Sequence, residues 1–166
     1  MNPFDQASFD SAQRNQELGL PAQVTLAPIW RRGVGQIIDQ LVVFAPVVVV
    51  AFALGVRSRD DLSSKAFGIN VAVVVTAFVY EFLMTGAWGR TVGKFSTGTR
   101  VVRVDTGGPV LWSSSAVRAL VPLAAGVIPG VGFVLSLAVY ATAMLDKRRQ
   151  GWHDKAAGTI VVLNRP

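Results

Sequence analysis

The sequence has no cysteine and a single histidine, His153. The first absence excludes disulfides, thiolate metal centres and a cysteine nucleophile. The second excludes a multi-histidine metal site. Charge is scarce as well: 16% of residues are charged against 51% hydrophobic, where a soluble domain normally covers itself with about a quarter charged residues. A surface that meets lipid needs no such cover, so we expect a membrane protein of one domain. No recognisable nucleophile or metal constellation is present. We therefore expect a protein that is not an enzyme and carries no cofactor.

The charge that remains is clustered. No Lys or Arg lies between Gly33 and Val56, between Ala66 and Gly89, or between Ala119 and Asp146. The first two gaps exceed the ~20 helical residues that cross a hydrocarbon core. They give expected spans at about 33–53, with Asp39 and Pro46, and 66–88, with Asn70, Glu81 and Thr85. A short polar link, Arg57 to Lys65, joins them. Residues 1–28 mix Asp, Gln, Asn, Ser and Pro without apolar periodicity, so we expect a disordered tail ahead of a membrane domain at 29–166. That tail lacks the basic start and apolar core of a secretory signal. The first span is expected to stay as an uncleaved anchor.

The third gap is interrupted at its middle by Gly126-Val-Ile-Pro129-Gly130-Val-Gly132, where helices tend to break. Its halves are each short for a crossing, so 119–145 is expected to enter the membrane and return as a hairpin. The distribution of Lys and Arg agrees. A returning hairpin puts thirteen on one side and three on the other, and the positive-inside bias then places both termini in the cytoplasm of a multi-pass cell-membrane protein. The net charge of +6 is better explained by these membrane flanks than by nucleic acid, for which no motif is present. Gly98-Thr-Arg-Val-Val-Arg-Val-Asp105 alternates β-branched and basic residues. The turn Thr106-Gly107-Gly108 and Pro109-Val-Leu-Trp112 follow, which signals a local β-hairpin. Gly158 to Leu163 also has strand character and could pair with it, giving a small cytoplasmic β element.

Candidate site residues lie within and beside the spans. Arg32, Gly35 and Asp39 share one helical stripe. An aspartate in an apolar helix costs ~2.5–3.5 kcal/mol at mid-bilayer on insertion scales, so it should face protein. Pro46 frees the carbonyl of Val42 to line a polar cavity. The plain alternative is that Arg32 snorkels to headgroups and Asp39 makes a structural ion pair with it or with another helix. On the second span, Asn70, Ala77, Glu81, Thr85 and Trp88 lie near one face. Glu81 is a second embedded acid, either a proton or ion site or a paired packing residue. Gly89-Arg-Thr91-Val-Gly93-Lys94 superficially resembles a phosphate loop. Three residues separate its glycines where four are needed, and Phe95 stands where a hydroxyl would hold magnesium, so nucleotide binding is rejected. His153-Asp154 alone makes no hydrolase; Asp154 is expected at least to cap a backbone turn.

Arg32, Gly35 and Ile38-Asp39 resemble a signature of the RDD family of bacterial membrane proteins. Gly89-Arg-Thr-Val-Gly-Lys94 with Gly98-Thr-Arg-Val-Val102, Arg118, and Arg148-Arg-Gln-Gly-Trp-His-Asp154 with Ala157-Gly-Thr159 are similar to its later segments. The resemblance runs from about Ile29 to Leu163. It implies that Arg32, Asp39 and Asp154 are the arginine and two aspartates that give the family its name. Gly35, where the family often has alanine, should permit closer helix approach. No activity is settled for the family, and the resemblance implies at most transport of an unidentified ligand. We therefore expect an α-helical polytopic membrane protein with two full transmembrane helices, a C-terminal membrane hairpin and the small β element. In it Arg32, Asp39 and Asp154 converge, with Arg118 a further partner. Transport of a proton, ion or small solute along a path lined by Asp39 and Glu81 is one expected role. A non-catalytic accessory or assembly subunit is the other. The bilayer and either a second copy or another membrane protein are the expected partners.

Overall fold

The structure is a computed structural model, described over residues 3–126 and 131–164. Its elements run α1 (Pro3–Glu17), α2 (Ile29–Ala53), α3 (Arg59–Trp88), α4 (Val92–Ser96), β1 (Thr99–Arg103), α5 (Trp112–Gly126), α6 (Gly132–Ala141), a 3₁₀ turn (Thr142–Met144), α7 (Trp152–Ala157) and β2 (Thr159–Leu163).

The two long helices are α2, 25 residues, and α3, 30 residues, with mean hydropathy of 2.0 and 1.9 over their apolar stretches. At 1.5 Å per residue they measure about 37 and 45 Å, enough to cross a membrane. Each begins earlier than its apolar run. Ser58 accepts the Asp61 N–H and Asp61 accepts the Ser58 N–H, a capping box that starts α3 inside the polar link. Gly89, in the left-handed region at φ 65°, ends it. Val49, Phe52, Phe67 and Val75 are exposed by 54–84%, an apolar surface that suits lipid and not water.

At one end of the long helices sits a small β lobe. β1 and β2 pair antiparallel, with Val101 opposite Val161 and Val102 opposite Ile160. The chain at Leu26 bridges Val162 on the free side of β2, where the Ala27 N–H donates to the Val161 carbonyl. Leu20, Val24, Val102, Ile160 and Val162 bury one face, and Ala27, Val101, Val110 and Val161 bury the other. The strand pairing therefore joins 99–103 to 159–163. The local hairpin expected across Thr106–Gly108 does not form. The turn does close on β1, since the Arg103 N–H donates to the Gly108 carbonyl. Pro109, however, has no N–H to continue a ladder, and the chain enters α5 at Trp112.

The expectation of a disordered 1–28 tail also needs correction over the described residues. Pro3–Glu17 is helical, and 20–27 belongs to the lobe. The buried Asn15 amide donates to the Val24 carbonyl at 2.7 Å and reaches those of Pro21 and Ala22. Leu20, Val24 and Ala27 supply core, which gives this segment the apolar burial that disorder requires it to lack.

The third apolar region forms α5 and α6, which pack against each other. The expected break between them falls partly at 127–130, outside the described residues. Both halves also contact α7, next to the lobe.

Candidate functional site

Six buried or nearly buried charges from five helices form a continuous series of alternating sign. It starts on the first turn of α2, where Arg32 Nη2 lies 2.5 Å from Asp154 Oδ2 of α7. The other oxygen of Asp154 is held by Arg118 Nη1 of α5. Arg118 Nε lies 3.2 Å from Glu81 Oε1 of α3. That same oxygen is 3.5 Å from Lys94 Nζ of α4, and Lys94 Nζ is 3.6 Å from Asp39 Oδ2. Asp39 is on α2 again, two turns beyond Arg32, so the series is a ring that closes on the helix where it began. Three cations face three anions, so the ring is neutral when every member is ionised. Taking charges this far from water is tolerable only with such pairing and with further hydrogen bonds.

Those bonds are present. Asp39 accepts from Tyr80 Oη and Thr91 Oγ1, each at 2.6 Å, and from the Gly93 N–H at 2.8 Å. Thr91 is also the N-cap of α4, so the carboxylate and the helix start are fixed together. The approach requires glycine. A Cβ on Gly93 would collide with the Gly35 carbonyl, and one on Gly35 would lie 3.1 Å from the Gly93 carbonyl. The expected close approach at Gly35 is thus to α4. Asp154 accepts the Gly151 N–H at 3.1 Å, so it caps α7 as well as pairing with two arginines. Arg32 also donates through Nη1 to the Arg149 carbonyl, and Ser115 Oγ of α5 donates to the Phe82 carbonyl of α3 at 2.7 Å.

His153 is buried beside this ring, with Nε2 3.6 Å from Asp154 Oδ2 and its ring 4.5 Å from that of Tyr140. Neither ring nitrogen has a well-aligned hydrogen-bond partner. Burial, then the positive charges of Arg118, Arg32 and Lys94, push its pKa well below the ordinary 6.5, so the imidazole is neutral.

Of the expected residues, Arg32, Arg118 and Asp154 meet directly. Asp39 joins them only through Lys94, Glu81 and Arg118; its cation is Lys94 and not Arg32. The face expected on α3 divides: Glu81 and Thr85 turn inward, whereas Asn70 and Trp88 are exposed. Sequence reasoning missed Tyr80, Gln36, Gln40, Ser136 and Tyr140. With Asp39 and Glu81 they line a cavity of about 80 Å³ among α2, α3, α5 and α6, whose apolar lining comes from Val43, Ala77, Ala119, Pro122 and Leu123. The available signal was a polar atom at helical spacing within an apolar stretch: Gln36 and Gln40 are four apart, and Gln36 is three before Asp39.

A model of the RDD family matches residues 26–158, most of the chain. The chain belongs to the RDD family. Its apolar helices suit this family of membrane proteins, and the matched region contains all six charges of the ring. No match is found among curated proteins or among solved structures. In this RDD protein Arg32 and Asp39 lie on α2 at the two ends of the series. Arg32 pairs with Asp154, and Asp39 occupies the far end of the same helical stripe.

Proposed function

We propose that this RDD protein has a transport-related role, passing a proton, ion or small solute along a polar path lined by Asp39 and Glu81. The observation that carries this reading is the cavity that both carboxylates reach. Its volume accommodates only a few water-sized species. Lys94 Nζ stands between the two acids, 3.6 and 3.5 Å away, so an entering cation competes with an ammonium group for the same oxygens. Embedded acids that face a cavity are the usual markers of such paths.

The topology that fits is two full crossings plus α5–α6 as a membrane hairpin, in the cell membrane with both termini cytoplasmic. Thirteen of the sixteen basic residues then share the cytoplasmic side. The chain is small for enclosing a path alone, and the apolar flanks of α2 and α3 offer surface for a second copy.

A non-catalytic accessory subunit is the second reading, favoured by the pairing of every charge in the ring. Reconstitution in liposomes under pH or salt gradients separates the two. Flux that is present in the wild type and lost in Glu81→Gln supports transport. Absence of flux from the wild type, with a stoichiometric membrane partner in native extracts, supports the accessory role.

A further inference from the structure

All four tryptophans of the chain stand at helix ends beside the β lobe and are 51–65% exposed. Trp30 is the second residue of α2, Trp88 the last of α3, and Trp112 and Trp152 the first of α5 and α7. Trp88 adjoins Gly89, whose carbonyl accepts the Val101 N–H of β1 at 2.7 Å. Trp112 packs on Phe82, in the last two turns of α3, at 5.3 Å between ring centres. The Trp152 N–H donates to Thr142 Oγ1, where α6 ends. Tryptophan rings with this placement collect at the headgroup level of a bilayer.

The net charge collects at the same end. The buried ring is neutral, and Arg57, Arg59 and Lys65 against Asp60 and Asp61 leave one positive charge at the far link. Arg31, Arg90, Arg100, Arg103 and the run from Lys147 to Arg149 belong to the described segments at the lobe end, with Asp105 and Asp146 the acids among them. Two arginines there lie on either side of α4 without a carboxylate in ion-pair distance among the described residues. Arg31 lies 5.3 Å from the centre of the Trp30 ring and donates to the Thr97 carbonyl. Arg90 lies 5.4 Å from the centre of Phe95, which is 69% exposed. Each guanidinium is thus held against an exposed aromatic ring, with donors to spare.

We propose that Trp30, Arg31, Arg90 and Phe95 form a binding surface for the headgroups of anionic phospholipids. The rings set its depth and the guanidinium groups bind the phosphate. It does not depend on whether the protein transports anything. The test is lipid retention by purified protein in nanodiscs of mixed phosphatidylcholine and phosphatidylglycerol, read by native mass spectrometry. Wild-type protein should retain phosphatidylglycerol in excess. The excess should fall roughly fivefold for each arginine in Arg31→Gln/Arg90→Gln and persist in Arg31→Lys/Arg90→Lys, which keeps the charge. Arg57→Gln/Arg59→Gln, at the opposite end, should leave it unchanged. Equal retention of both lipids, an equal loss in the Arg57/Arg59 variant, or displacement by millimolar inorganic phosphate would overturn the proposal.

Discussion

Arg118 holds Asp154 through Nη1 and Glu81 through Nε, so one guanidinium on α5 fastens α7 and α3 together. Breaking a buried pair by removing one partner strands the other, which typically costs ~3–5 kcal/mol. Asp154→Asn disturbs two arginines at once. It should lower folded yield and thermal midpoint in detergent, whereas Asp105→Asn, whose partner Arg103 shares solvent with it, should leave both unchanged. Fluorescence-detected size exclusion checks this; similar profiles for the two variants would contradict the buried ring.

Gly93 and Gly35 are expected to differ although they touch. Gly93→Ala drives a methyl group into the Gly35 backbone and against the Asp39 carboxyl carbon, an overpacking of about 1–3 kcal/mol. Gly35→Ala asks the Gly93 carbonyl to yield by only a few tenths of an ångström. Thermal unfolding should therefore show a clear drop for the first and a small one for the second. The reverse order would mean that α4 is seated elsewhere.

The neutral state of His153 gives stability a defined pH dependence. Its folded pKa lies well below the ordinary 6.5, so on acidification the unfolded chain takes up this proton first. The contribution is intact above about 6.5 and declines as pH falls from there toward the folded value. His153→Asn should flatten that part of the stability profile. If the wild type and variant lose stability in parallel below pH 6.5, this histidine is not the group responsible.

Reporter fusions at the 57–65 link, at Thr106–Gly108 and after Pro166 address topology. The expected result is an exported link with the other two sites cytoplasmic. An exported C-terminus would mean that α5 and α6 together cross once.

Local signals were legible in the sequence and distant pairings were not. The gaps in basic residues marked α2 and α3, and the seven-residue spacing put Arg32 and Asp39 on one stripe before any partner was known. Asp154 is 36 residues from Arg118, and no periodicity links a residue of a short helix to one on a distant helix. Lys94 was visible only within a failed phosphate-loop motif. Its role follows from the tight turn after Gly89, which points α4 back at Asp39. The first 28 residues misled for a different reason: their composition is polar, but Leu18, Leu20, Val24 and Leu26 are enough apolar residues to complete a lobe whose other strands come from the chain's far half.

The order in which the ring's members leave the ribosome follows from their positions. Asp39 and Glu81 are made before Lys94 and Arg118, and Asp154 arrives last, 122 residues after Arg32. With the two crossings proposed above, α2 and α3 enter the bilayer carrying acids whose cations have not yet been synthesised, at the insertion cost that lone carboxyl groups bear. A nascent chain halted before α7 leaves Arg32 and Arg118 without their shared aspartate. Completion of the last short helix thus neutralises the ring, giving the finished polypeptide a stability that a truncated one lacks during biosynthesis.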